Sequence, residues 1–156
     1  ALNRISVAVD SGEGFAGQWP DLEVVLDVLP STLTGAAETG VPSLATLQAE
    51  FAPAARSALA AARAEGVAED SGGLGGFLRS QFDVRSTAPR EGTDPDAILS
   101  RAEAALKEGR LSDSLAEIAA LPEVARAEMT DWTAQAQARA DVLSAITTLS
   151  ENLNAN

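Results

Sequence analysis

Residues 94–111 read Asp94-Pro95-Asp96-Ala97-Ile98-Leu99-Ser100-Arg101-Ala102-Glu103-Ala104-Ala105-Leu106-Lys107-Glu108-Gly109-Arg110-Leu111. This run decides the fold class. An acidic residue followed by Pro starts a helix: the carboxylate accepts from unpaired first-turn amides, and the Pro ring presets φ where no N–H is needed. Asp96 adds a negative charge where the helix dipole favours one. Gly109 stands where a left-handed residue would end the helix. Between these signals, Ile98, Ala102, Ala105 and Leu106 fall on one face. Beyond Gly109, Leu111, Leu115, Ile118 and Ala119 fall on another. Two helices joined by about three residues run antiparallel and pack those faces together. Pro122 restarts the chain, and Met129, Trp132, Ala136, Leu143, Ile146 and Leu153 form the apolar seam of a long third helix. The expected fold is all-α: a helical bundle with a C-terminal helical hairpin plus a long helix.

Upstream of Asp94 the signals are weaker. Leu2, Ile5 and Val9 are spaced as the last turns of a helix that begins before Ala1, so the chain reads as a fragment of a longer protein. Ser11-Gly12 ends that helix. Leu22, Val25, Leu26 and Leu29 make a helix of residues 21–29, with Pro20 either starting it or kinking a longer one from Phe15. Trp19 is placed to staple that helix to the core. Residues 30–42 read as a loop between two Pro. Ser43 caps a long Ala-rich helix whose apolar face is Leu44, Leu47, Phe51, Ala55, Ala58, Leu59 and Ala62. Pro53 lies inside it, which predicts a kink or break near Phe51. Gly66 ends it. Then come a Gly-rich hinge at residues 71–76, a short amphipathic helix from Leu74 to Arg85, and a polar linker from Ser86 to Thr93. The domain division is accordingly 1–70 (a helical arm), 71–93 (hinge, amphipathic helix and linker) and 94–156 (hairpin and long helix).

Composition limits the chemistry. The chain is rich in Ala, poor in β-branched residues and free of Tyr, which favours helices. It contains no Cys and no His, which removes disulfides, thiolate metal sites, the usual general base and the commonest metal ligand. No cofactor and no metal is expected. The net charge is −12, which argues against nucleic acid as a partner. The charge is uneven: residues 1–78 carry three basic and ten acidic side chains, residues 79–110 six of each, and residues 111–156 two and seven. No stretch of eighteen apolar residues is present.

Each chemical motif has a plainer reading beside it. The Gly72–Gly76 run lacks the Gly-Lys-Ser/Thr ending of a phosphate loop and no apolar strand precedes it, so it reads as a hinge. Asp94 with Asp96, or Glu69 with Asp70, has the composition of an acid–base pair, but six aromatics in the whole chain give no lined cleft. No Gly-x-Ser-x-Gly elbow and no calcium loop occurs. The chain is not expected to be an enzyme. Trp132 is a seam residue by position, with a partner anchor as the alternative, because Trp is enriched at binding hot spots. In the Leu74–Arg85 helix, Leu74, Phe77, Leu78 and Phe82 share one face while Arg79, Ser80, Gln81 and Asp83 take the other. That pattern serves either a core helix or one lying in a membrane interface, with Arg79 and Arg85 near the headgroups. A soluble tetratricopeptide-like adaptor that binds a protein partner is the rival function, although only one such hairpin is visible.

The run from Asp94 to Leu111, continuing through Leu121 and Asp131-Trp132 to the Arg139 region, resembles the C-terminal signature domain of the mitofilin family. Ser11-Gly12 followed by Phe15 fits the same pattern, as does Gly40-Val41-Pro42-Ser43-Leu44 leading to Gln48 and Phe51, and so does Phe77 to Arg85. The sequence departs from the family at Trp19-Pro20-Asp21, where a helix usually continues. The acidic, Ala-rich style is similar to the bacterial branch. The resemblance implies a non-catalytic scaffold that oligomerises and shapes the inner or intracytoplasmic membrane in a cristae-like organisation. It implies a membrane span and coiled coil before this region, and a position on the periplasmic side. It also places a lipid-binding amphipathic helix at Leu74–Phe82, and a possible protein partner at the signature domain.

Overall fold

The computed structural model describes residues 2–24, 29–66 and 92–155. These residues are all-α, as expected. The elements are α1 (Leu2–Ser11), a 3-10 turn (Ala16–Gln18), α2 (Trp19–Glu23), α3 (Ser31–Ala36), α4 (Leu44–Ala64), α5 (Pro95–Lys107), α6 (Leu111–Ala119), α7 (Glu123–Glu128) and α8 (Thr130–Ala155). The Gly-rich hinge, the Leu74–Arg85 segment, residues 86–91 of the linker and residues 25–28 lie outside the described residues. Contacts divide the chain into two compact units, residues 1–49 with 133–156, and residues 50–132.

In the second unit the hairpin forms by the signals its sequence carries. Asp94 is extended (φ −70°, ψ 155°) and its side chain accepts from the Ala97 N–H at 3.0 Å, with Pro95 opening α5. At the other end Gly109 has φ 76°. Its N–H donates to the Leu106 carbonyl (3.1 Å) and the Arg110 N–H to the Ala105 carbonyl (2.8 Å), so the turn satisfies carbonyls that a bare helix end leaves open. Ile98, Ala102, Ala105 and Leu106 are all buried on α5. On α6 the buried set is Leu111, Ser114 and Ile118; Leu115 is half-buried and Ala119, expected on that face, is exposed at the end of the helix. Arg101 clasps the pair. Its Nε donates to both carboxylate oxygens of Glu117 at 3.0 Å, its Nη2 to Oε2 at 2.9 Å, and its Nη1 to the Gly92 carbonyl at 2.7 Å. The hydrogen bond to Glu117 raises the Arg101 pKa above its ordinary value, partly opposed by desolvation. Phe51 and Trp132 meet edge to face, centroids 5.1 Å apart.

Four local expectations are corrected. Residues 30–42 are not all loop: the Pro30 carbonyl accepts from the Leu33 and Thr34 N–H groups, and α3 forms because Leu33 is fully buried, which outweighs the poor propensities of its Thr and Gly. α4 runs unbroken through Pro53. Pro53 and Ala49, whose carbonyl loses its helical partner, are both exposed, so water can satisfy the freed group. The long third helix is two helices, because Met129 (φ −95°, ψ 1°) makes a tighter turn to the Arg126 carbonyl. Along α8 the buried seam is Trp132, Ala136, Arg139, Val142, Ile146 and Leu149, with Leu143 and Leu153 only half-buried. Pro20 sits in the first turn of α2 and so starts that helix.

In the first unit, Ile5, Val9, Phe15, Leu22, Leu33 and Val41 share one apolar core with Val142, Ile146 and Leu149 of α8. Trp19 packs against this core, edge-on to Phe15 at 5.5 Å.

Candidate functional site

Among the described residues the only buried charged side chain is Arg139, 5 % exposed. Its Nη1 donates to the Val9 carbonyl at 2.6 Å and to the Pro42 carbonyl at 3.3 Å, and its Nη2 donates to Asp10 Oδ1 at 2.9 Å. Val9 and Asp10 lie in the last turn of α1, where unpaired carbonyls and the helix dipole favour a cation. Pro42 precedes α4, whose first turn is capped as expected: the Thr46 N–H donates to Ser43 Oγ at 3.1 Å. One guanidinium thus ties the end of one helix to the start of another.

The backbone around Arg139 is tightly apposed. The Phe15 and Ala16 N–H groups both donate to the Ala37 carbonyl, at 2.7 and 3.1 Å. Gly40 has φ 73°, and a Cβ there would stand 2.6 Å from the Glu13 carbonyl oxygen. Only Gly satisfies both the left-handed backbone and the close approach. Ser11-Gly12 with Phe15, Gly40 to Ser43, and Arg139 are far apart in sequence, and the fold brings them to one place. The junction holds backbone together.

Sequence reasoning did not single out Arg139. The signal was there: the seam named on the last helix steps from Ala136 to Leu143, and the residue one helical step after Ala136 is an Arg. A charge on an otherwise apolar stripe marks a buried polar contact. Of the residues selected from sequence, Leu74, Phe77, Leu78, Arg79, Phe82 and Arg85 lie outside the described residues. Trp132 is described, and it is buried, 3 % exposed, against Phe51.

Other features of the described residues carry little chemistry. An open cleft of about 310 Å³ is lined by Thr32, Gly35, Ala36, Val41, Ala138 and Val142, with Asp141 as its charged group. The described residues contain no cluster of three or more carboxylates able to hold a metal ion. No described helix is long and apolar enough to cross a membrane.

This is an all-helical architecture organised by caps, close backbone contacts and one buried guanidinium. The family model of mitofilin, described as a mitochondrial inner membrane protein, matches residues 20–154. The chain belongs to the mitofilin family, a family of structural scaffolds associated with the inner membrane. The matched range begins after Ser11-Gly12 and Phe15, so α1 lies outside it although its last turn binds Arg139. Searches of curated proteins and of solved structures each returned no match.

Proposed function

We propose that this chain is part of a non-catalytic scaffold that oligomerises and binds or bends the inner or intracytoplasmic membrane. The segment Leu74–Arg85 is its inserting amphipathic helix. Membership of the mitofilin family carries the reading. Leu74, Phe77, Leu78 and Phe82 would enter the leaflet, and Arg79 and Arg85 would meet the headgroups. Each fully buried Phe or Leu contributes roughly 1.5–3 kcal/mol, and each basic residue near anionic lipid about 1 kcal/mol. Binding by this helix is therefore mostly apolar. Several copies in one oligomer would raise a weak insertion to a useful avidity. On this reading the scaffold acts from the periplasmic side in a bacterium, and a protein partner would dock within the signature region, residues 94–156.

Liposome co-sedimentation of the parent chain and a Phe77→Asp/Phe82→Asp variant tests it, with far-UV circular dichroism confirming that both fold. The expected result is binding by the parent, loss of most of it in the variant, and weak dependence of the lost part on salt. A folded variant that sediments like the parent rules out the helix assignment.

A further inference from the structure

We propose that the exposed face of α4 bearing Arg56 and Arg63 is a second membrane contact, one that seats anionic lipid headgroups electrostatically and without insertion. The inference rests on the membrane-scaffold reading above and adds a surface to it. Seven residues along an α-helix amount to about 10 Å of rise and a net rotation of only about 20°, so the two arginines stand one above the other. Ala52, Pro53 and Ala60 share their face, and all five residues are exposed. The buried face of the same helix, Phe51, Ala58 and Ala62, lies on the far side. Glu50 and Glu65 flank the stretch, but helical geometry turns them about 120° and 180° away from Arg56. Neither arginine forms an ion pair with a described residue, whereas Arg4, Arg101, Lys107, Arg110 and Arg139 all do; Arg126 also lacks one but stands alone and donates to the Ala119 carbonyl.

In a chain of net charge −12, two stacked cations without an ion-pair partner among the described residues mark a face that an anionic surface can approach with little repulsion. The neighbouring side chains are small, so the guanidinium groups are the most protruding points of this face and a flat surface can reach both at once. A guanidinium also presents paired N–H donors that fit phosphate oxygens. A second copy of this acidic chain would bring its own −12 to the contact, and the family is one of inner-membrane proteins. These points favour lipid over self-association.

The test uses the parent chain, an R56Q/R63Q variant and an R56K/R63K variant. Each is sedimented with vesicles of phosphatidylcholine alone and of phosphatidylcholine with phosphatidylglycerol at about two to one, in low and high salt. Each basic residue beside an anionic surface is worth about five-fold in affinity, so R56Q/R63Q should bind the mixed vesicles about 25-fold more weakly at low salt. Its binding to phosphatidylcholine should be unchanged, and R56K/R63K should keep most of the parent's affinity. Circular dichroism checks that each variant folds. Equal binding of parent and R56Q/R63Q overturns this proposal and leaves the amphipathic helix standing. A changed oligomeric state in R56Q/R63Q, with lipid affinity intact, identifies a contact between copies and also overturns it. A parent that sediments with neither vesicle sinks both proposals. Salt-sensitive binding to mixed vesicles that persists in a Phe77→Asp/Phe82→Asp variant and is lost when R56Q/R63Q is added to it supports the α4 face on its own.

Discussion

Two arginines show how differently the two compact units are built. Arg101 joins α5 to α6 through Glu117, sixteen positions along the chain, and both side chains are partly exposed, 29 % and 31 %. Arg139 reaches the Val9 carbonyl across 130 positions and is almost wholly buried. Around Arg101 the hairpin already has its cap, its turn and two facing apolar stripes, so the ion pair trims a structure that local signals specify. Around Arg139 the pieces are two loops and two helix ends that do not attract one another strongly in isolation. There the buried guanidinium is part of what defines the arrangement. Contacts between distant residues must overcome a larger loop-closure entropy, so the first unit depends on its few specific polar contacts more than the second does.

The same substitution at the two arginines is the sharpest way to break this comparison. Arg139→Met removes the charged donor from the Val9 and Pro42 carbonyls, leaves Val9 only the longer bond from the Gly12 N–H at 3.3 Å, and should cost about 3 kcal/mol, since hydrogen bonds to charged groups are the strong ones. Urea denaturation, with hydrogen exchange on α1 as a local readout, measures it; a loss below about 1 kcal/mol would show that the apolar core alone holds this junction. Gly40→Ala should cost about 2 kcal/mol, because a left-handed backbone is disfavoured for Ala and its Cβ would strike the Glu13 carbonyl. Thermal melts that match the parent would mean that the two loops separate easily. Arg101→Met should cost only about 1 kcal/mol, in keeping with a partly exposed ion pair; a loss as large as that of Arg139→Met would erase the distinction between the units.

The last expected effect is equally small and has the opposite sign. Ser114 is fully buried on α6 and its hydroxyl has no hydrogen-bond partner among the described residues. Ser114→Ala removes a stranded polar group and improves helix propensity, so the midpoint of unfolding should rise, by about 1 kcal/mol in stability. A fall instead would reveal a partner for that hydroxyl.

The hairpin was legible because every signal in it acts within a few residues. Asp94, Pro95 and Gly109 set its ends, and Ile98, Ala102, Ala105 and Leu106 set its buried face. α3 was not legible: Ser31–Ala36 has poor helix propensity, and only the burial of Leu33 makes it a helix. The α8 seam was half legible, because one period of apolar residues fits Val142 and Leu149 about as well as Leu143 and Leu153 until the packing is known. Pro53 predicted a kink or break; the helix does not break there, since the exposure of Ala49 lets water satisfy its carbonyl.

By itself, then, the sequence determined the helical class, the hairpin with its capped ends, and the family to which the chain belongs. Those features rest on local capping, on 3.6-residue periodicity and on the order of short motifs. Tertiary structure alone decided which groups of α1 and of the start of α4 Arg139 ties together, that Gly40 must be glycine, and that the arginines of α4 face outward with no ion pair among the described residues. These depend on which distant backbone groups come to lie within hydrogen-bonding or van der Waals reach, and no local pattern in the chain encodes that.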